Sequence, residues 1–435
     1  MRHSKEQKRT TKEIISMAKQ FIEYHTSDMS KPVQKFITQM MYGIITSRSV
    51  IVQRIARSLD EKITFKKICD RLYRNLSKCP VLCELLMDAQ LRMVAPRIMS
   101  DTAIIIDISD INKEGATKME GLGKVWDGSE SKTNKGYFTI QASYCHHTNP
   151  KHIGLLYSEV FSLEIENTSL NEKVLSLIYS AIVNTDNRGI FVMDRGMDSS
   201  KIIKELIEND TSFIIRGDNR HLVYKGKLMS YKEIAQQVQL TQKVKSKERI
   251  FSAGIVPVQL VLPNDDENKN KRKKKANLHL VVALEEDHSF VFYLCRFRDS
   301  YTEAQMVDMV IKYYGLRWGI EEVHRQIKQD FNLEDIQLMK YWSLKNMNAL
   351  LWIAASFLYN EVINIKECLI QKFKTKMVYR DEVKEKDKNL MYRITALVSD
   401  LMHSIDIMKI FKFNTRKCFD KRKDKEQLYI CFEDL

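Results

Sequence analysis

The chain has 435 residues and lacks the marks of several protein classes. It has no dense cysteine spacing: its eight cysteines are scattered at Cys69, Cys79, Cys83, Cys145, Cys295, Cys368, Cys418 and Cys431. That excludes a disulfide scaffold and reads as reduced thiols. It has no paired CxxC. Cys79 and Cys83 stand four apart and Cys145 precedes His146 and His147, but both groups sit beside expected element ends, so no zinc site is expected. No apolar run is long enough to cross a bilayer, the longest uncharged one being Ala349 to Tyr359. The opening MRHSKEQKRT has charges with no apolar stretch behind them, which does not make a secretory signal. A cytoplasmic protein with no membrane association is expected.

What the chain does have is positive charge. Lys and Arg number 70 against 56 Asp and Glu, a formal +14, which favours a polyanionic partner, nucleic acid first among them.

Residues 1–98 carry helical periodicity. Ile51, Ile55 and Leu59 recur at helical spacing, as do Ile68, Leu72 and Leu76, with Arg and Lys between them. Two short basic helices joined near Asp60 to Thr64 resemble a helix-turn-helix, so this region is expected to bind DNA. From Thr102 the period changes. Ala103 to Ile106 is a β-branched run typical of a buried strand, expected to end on Asp107. GYFTIQASYC from Gly136 and GLLYSEVFSLE from Gly154 read as two more strands. A helix follows with Val174, Leu177, Ile178, Ala181 and Ile182, then a buried strand from Gly189 to Met193 that stops at Asp194. Next come a helix with Ile202, Ile203, Leu206 and Ile207 and a strand, SFIIRG, from Ser212. Strands followed by alternating helix and strand make a mixed α/β sheet covered by helices.

Residues 218–298 break the alternation. Gly254 to Leu262, Leu278 to Leu284 and Phe290 to Leu294 read as antiparallel strands of a separate insertion, with the solvated loop NDDENKNKRKKKAN between the first two; its Lys269 to Lys275 run is suited to phosphates. Ser300 and Glu303 read as a capping box opening the next helix.

That helix leads into YYGLRWGIEEVHRQIK, Tyr313 to Lys328, whose charges collect on one side. Relative to Arg317, Tyr314 falls at roughly +60°, Glu321 at roughly +40°, Lys328 at roughly +20° and His324 at roughly −20° on a 3.6-residue period. Leu316, Ile320, Val323 and Ile327 form a separate stripe that can dock on a core. A helix break is expected near Gly315, since glycine costs about 1 kcal/mol in a helix interior. Trp318 reads as core packing.

Two aspartates at the ends of buried strands and a glutamate on a later helix suit two hard divalent cations, which take carboxylate oxygens, water and phosphate oxygens. Asp110 is a rival to Asp107, which the apolar run favours. Singly, each acid also fits a structural role.

Tyr314, Arg317, Glu321 and Lys328, in the pattern Y-x2-R-x3-E-x6-K, together with IIIDISDINK around Asp107 and FVMDRGMDS around Asp194, resemble the DDE transposases of the insertion sequence four family. The strand SFIIRGDNR and the position of the β insertion are similar too. The resemblance implies a ribonuclease-H-like core in which Asp107, Asp194 and Glu321 are catalytic and ligate two Mg²⁺ ions, with Mn²⁺ able to substitute. It implies that Tyr314, Arg317 and Lys328 hold phosphate and DNA end. His324, on the same helical face as Arg317, suits a DNA contact or equally a hydrogen bond to a carboxylate, and Arg216 and Arg220 lie where this fold presents DNA contacts. It also implies cut-and-paste action on terminal inverted repeats and target DNA, with a homodimer on DNA, on the bacterial nucleoid. A metal-dependent nuclease without joining activity and a captured, non-catalytic DNA-binding protein stand as alternatives. The expected division is 1–98, helical and DNA-binding; 99–217, first part of the core; 218–298, β insertion; 299–342, second part of the core; and 343–435, helical and suited to dimerisation.

Overall fold

Residues 102–106 are apolar or β-branched throughout because both faces of their strand are covered. Ala103 and Ile105 join one hydrophobic cluster, while Ile104 and Ile106 join the other. The computed structural model describes residues 5–127, 132–150, 152–217, 219–263, 274–362 and 390–403. Most of the expected lysine-rich loop and much of the C-terminal region lie outside the described residues.

The chain forms two compact units, one of Leu91–Asp110 and Gly123–His324 and one of Met1–Gln90, Ile111–Leu122 and Arg325–Leu435. The first is built on a sheet of twelve strands: β1 (Thr102–Asn112), β2 (Gly123–Asp127), β3 (Lys132–His146), β4 (Ile153–Phe161), β5 (Ile190–Met193), β6 (Ser212–Arg216), β7 (His221–Tyr224), β8 (Lys227–Ser230), β9 (Gln242–Ser246), β10 (Arg249–Val261), β11 (Lys275–Leu284) and β12 (Phe290–Arg296).

The core order β4-β3-β1-β5-β6, with β1, β5 and β6 parallel and β3 and β4 an antiparallel pair, is that of a ribonuclease-H-like fold. The strands expected as a separate insertion instead continue this sheet, because β12 pairs antiparallel with β6 (Leu294↔Ile215) and β11, β10, β7 and β8 follow outward. Twin apolar faces make that possible, since Leu280 and Val282 face one cluster and Val281 and Ala283 the other.

Helices of the second unit and of the sheet's flanks are numbered together: α1 (Lys5–Thr26), α2 (Lys31–Ser47), α3 (Val52–Ser58), α4 (Phe65–Lys78), α5 (Leu82–Val94), α6 (Leu170–Thr185), α7 (Ser200–Glu208), α8 (Tyr231–Ala235), α9 (Glu303–Leu316), α10 (Trp318–Asp330), α11 (Tyr341–Ser356) and α12 (Leu390–His403). On one sheet face, α6 and α7 bury Val174, Leu177, Ile178, Ala181, Ile202, Ile203 and Leu206. On the other, α9 buries Val307, Val310, Ile311 and Tyr313, and α10 adds Ile320. The cap of α9 lies two residues beyond the expected one: Thr302 accepts from the Gln305 amide, and Gln305 reaches back to the Thr302 amide. In the other unit, α3 and α4 flank Asp60, which sits at φ 45. Ile55, Leu59, Ile68, Leu72 and Leu76 are buried, and Lys62, Lys66, Lys67 and Arg74 are exposed. Among the described residues no helix is long and apolar enough to cross a membrane.

Candidate active site

Alternation along the strands decides which polar residues meet. In β1, β5 and β6 the register aligns Ile106 with Met193 and Met193 with Ile215. The next residues are Asp107, Asp194 and Arg216. Side chains two apart share a face, and Ile105, Val192 and Ile214 all belong to the cluster under α9. All three polar residues therefore stand in one row on that side. Ile108 packs in the opposite cluster, so alternation turns Asp110 away from the row. Asp107 lies inside β1, which runs on to Asn112, rather than at its end as expected. Asp194 does follow the last residue of β5 and opens a short turn, Arg195–Met197.

The helix above the row breaks where glycine was expected to break it. α9 ends at Leu316 and α10 begins at Trp318, with the Arg317 amide donating to the Tyr314 carbonyl and the Ile320 amide to the Arg317 carbonyl. Gly315 leaves room there for the β9–β10 turn: a Cβ on it would lie 2.5 Å from Ser246 Oγ, which would have to rotate away. Tyr314, Arg317 and Glu321 stay convergent across the break. The Tyr314 hydroxyl donates to Asp194 Oδ1 at 2.7 Å, and Arg317 Nη2 donates to Glu321 Oε1 at 2.6 Å. Arg317 Nη1 lies 3.9 Å from Asp107 Oδ2, and its guanidinium stacks 5.5 Å from the Tyr314 ring centroid. One arginine thus bridges two of the predicted acids and touches the tyrosine bound to the third.

The electrostatics follow from burial and this bridge. Burial pushes the Asp107 carboxyl up to about 7; Arg317 opposes the rise, and the Asp194 and Glu321 charges reinforce it. Burial also acts on Asp194, but hydrogen bonds from Tyr314 and the Arg195 amide, with Arg317 and Arg216 nearby, hold it below the ordinary value. The Tyr314 hydroxyl is raised to about 12, by burial and then by the Asp194 charge.

Of the other predicted residues, His324 lies with Nδ1 3.9 Å from Asp107 Oδ2, beyond hydrogen-bond reach. Arg216 hydrogen-bonds Tyr314 and feels the Asp194 charge, so it faces the row. Lys328 is on α10 but in the other unit, where Nζ pairs with Glu334 Oε1 at 3.0 Å. Arg220 is spent structurally: it donates to Asp198 Oδ1, the Asp198 carbonyl and Ser200 Oγ, each at 2.7 Å. Trp318 is not core; it is 51% exposed and donates to Glu322 at 3.2 Å.

Sequence reasoning missed two neighbours. Tyr293 of β12 lies opposite Arg216 in register and packs 4.9 Å from Tyr314. Lys247, in the β9–β10 turn, places Nζ 5.6 Å from the Trp318 ring centroid. Only strand pairing brings Tyr293 to α9 and Lys247 to α10, and no sequence spacing encodes that.

Among the described residues no three His, Cys, Asp or Glu side chains are drawn together as a set for one ion, and Arg317 occupies the position between Asp107 and Glu321. The donor chemistry nonetheless fits a hard divalent cation: three carboxylates in mutual repulsion, one of them held up near 7 by burial and its neighbours.

The ribonuclease-H-like sheet, with Asp107 inside β1, Asp194 just past the end of β5 and Glu321 on the helix covering them, fits a nucleic-acid-processing enzyme. Residues 100–358 match the transposase DDE domain family, and the chain belongs to it. No curated protein matches the chain. It is therefore a DDE transposase by domain, a class of enzyme that acts on DNA.

Proposed function

We propose that the chain is a cut-and-paste transposase of the insertion sequence four type, cleaving DNA at the ends of its element and joining those ends to a target. The observation that carries this reading is the convergence of Asp107 and Glu321 on Arg317, with Asp194 held beside them by the Tyr314 hydroxyl. Domains of this family work with divalent metal ions, and these three acids would hold two Mg²⁺ here, Mn²⁺ substituting. When bound, such ions polarise the phosphoryl oxygens and lower the pKa of the attacking water or 3′-hydroxyl.

The chain's own residues do the positioning. Arg317, with its planar fork, grips phosphate bidentately once the carboxylates turn to the ions, and Lys328 acts as a point charge. Tyr314 fixes the orientation of Asp194, and Arg216 fixes Tyr314. His324 stands beside Asp107 on the DNA side of α10. The exposed basic side chains of α3 and α4 suit recognition of terminal inverted repeats, and residues 343–435 suit contact between two copies on DNA.

The test is incubation of wild type and Glu321→Gln with linear DNA carrying the element's own ends, in Mg²⁺ or Mn²⁺. Cutting at the element boundary and strand-transfer joints by wild type alone support the proposal. Cutting without joints would make the protein a nuclease. Binding without cutting by either protein would reduce it to a DNA-binding derivative.

A further inference from the structure

Arg317 is the most prominent cation of the site, yet its charge is engaged by Glu321 at 2.6 Å and by Asp107 at 3.9 Å. Another cation stands at the same edge and is not so engaged. Lys247 belongs to the two-residue turn between β9 and β10, whose strands pair Ser246 with Arg249. It holds a left-handed φ of 55, unusual for lysine. The turn is pressed against the break between α9 and α10, with Ser246 Oγ 2.5 Å from where a Gly315 Cβ would be. That close approach sets the turn beside the break and places the lysine next to α10.

From there Nζ lies over the Trp318 ring, and Trp318 is anchored in turn by its hydrogen bond to Glu322. Among the described residues no carboxylate comes within ion-pair distance of Nζ. Glu321 and Glu322 act on it from farther off: burial lowers its pKa, and those two charges favour the ammonium form.

We propose that Lys247 is a phosphate-gripping residue of this site, carried in by the β9–β10 turn and held beside α10 by the exposed ring of Trp318. Its ligand is one backbone phosphate of the DNA strand flanking the reacting phosphate, and the inference rests on the transposase reading. A lysine fits the task because a flexible stem with a compact charge follows a phosphate without demanding one orientation. The aromatic ring beneath it limits the stem's freedom, so less entropy is lost when the phosphate arrives.

The turn supplies a clean test, because asparagine adopts left-handed φ more readily than lysine. Lys247→Asn therefore removes the charge while keeping the fold, with an unchanged or raised Tm. Binding is measured by fluorescence anisotropy over a salt series, using a labelled linear duplex taken from the DNA flanking the coding sequence. Losing one phosphate contact reduces the magnitude of the slope of log K against log salt by about 0.9. Lys247→Arg retains the wild-type slope, and Trp318→Ala reduces it. A slope for Lys247→Asn equal to that of wild type overturns the inference and leaves the transposase reading intact. Wild type that shows no salt-dependent binding to the duplex overturns both.

Discussion

The hydroxyl of Tyr314 donates to Asp194 Oδ1 across 2.7 Å, joining the helix before Arg317 to the acid at the end of β5. The same carboxylate is held below its ordinary pKa despite burial, with this hydrogen bond the largest opposing influence. Tyr314→Phe deletes the donor and leaves the ring, so a buried charged acceptor loses a partner. The expected cost is about 2 kcal/mol in urea unfolding at neutral pH. The sign of the pH dependence follows. A depressed folded-state pKa contributes stability present above the unfolded value and lost as pH falls through the folded one. The gap between wild type and Tyr314→Phe should thus be widest near neutrality and close in acid; a gap independent of pH contradicts this role.

Asp107 behaves oppositely. Its carboxyl is raised from the ordinary 3.8 to about 7 by burial and then by its acidic neighbours. A raised folded-state pKa contributes stability that is full below the unfolded value and lost as pH rises through about 7. In chelator, Asp107→Asn should gain on wild type as pH climbs from acid to mildly alkaline, by roughly several degrees in Tm. The measurement is the difference in melting temperature across that range, and a flat difference counts against the burial argument.

Much of this site was legible from residue order alone. Apolar runs buried on both faces stop at or near Asp107 and Asp194, and a period of 3.6 gathers Tyr314, Arg317 and Glu321. The α9–α10 break fell where Gly315 placed it. Non-local pairing was not legible. The sheet's extension through β12 depends on register between β6 and a strand some eighty residues later, and with it came Tyr293 and Lys247. The Thr302 cap displaced the expected Ser300 cap because either three-residue spacing satisfies the sequence rule, and only the backbone path chooses. Trp318 was misassigned to the core because an aromatic beside a helix break has no period to place it.

Arg317 bridges acids that otherwise repel one another. Arg317→Met removes the bridge and leaves partly buried carboxylates unbalanced, so in chelator the variant should melt lower than wild type, and the deficit should grow with pH as Asp107 ionises. Arg317→Lys should recover little, because a single ammonium cannot reach Glu321 and Asp107 together. Full recovery by lysine would mean that charge alone matters there.

The turn after Asp194 is held from a distance by a pair that the sequence did not mark. The side chains of Asp198 and Arg220 are only 2% and 12% exposed; Arg220 Nε donates to Asp198 Oδ1 at 2.7 Å, and the Tyr231 hydroxyl donates to Oδ2 at 3.2 Å. Arg220 also holds the Asp198 carbonyl and Ser200 Oγ, so one guanidinium fixes the backbone four to six residues beyond Asp194. Removing one partner leaves the other charge buried, which costs about 3–5 kcal/mol. Arg220→Ala should therefore unfold at clearly lower denaturant than wild type, and Arg220→Lys should restore only part of the loss, since lysine cannot make the three-way contact. DNA cleavage by Arg220→Lys should fall through a lower kcat at unchanged DNA affinity, because the guanidinium is occupied by the protein and positions Asp194 without touching DNA. A loss of DNA affinity with kcat preserved would instead place Arg220 on the DNA.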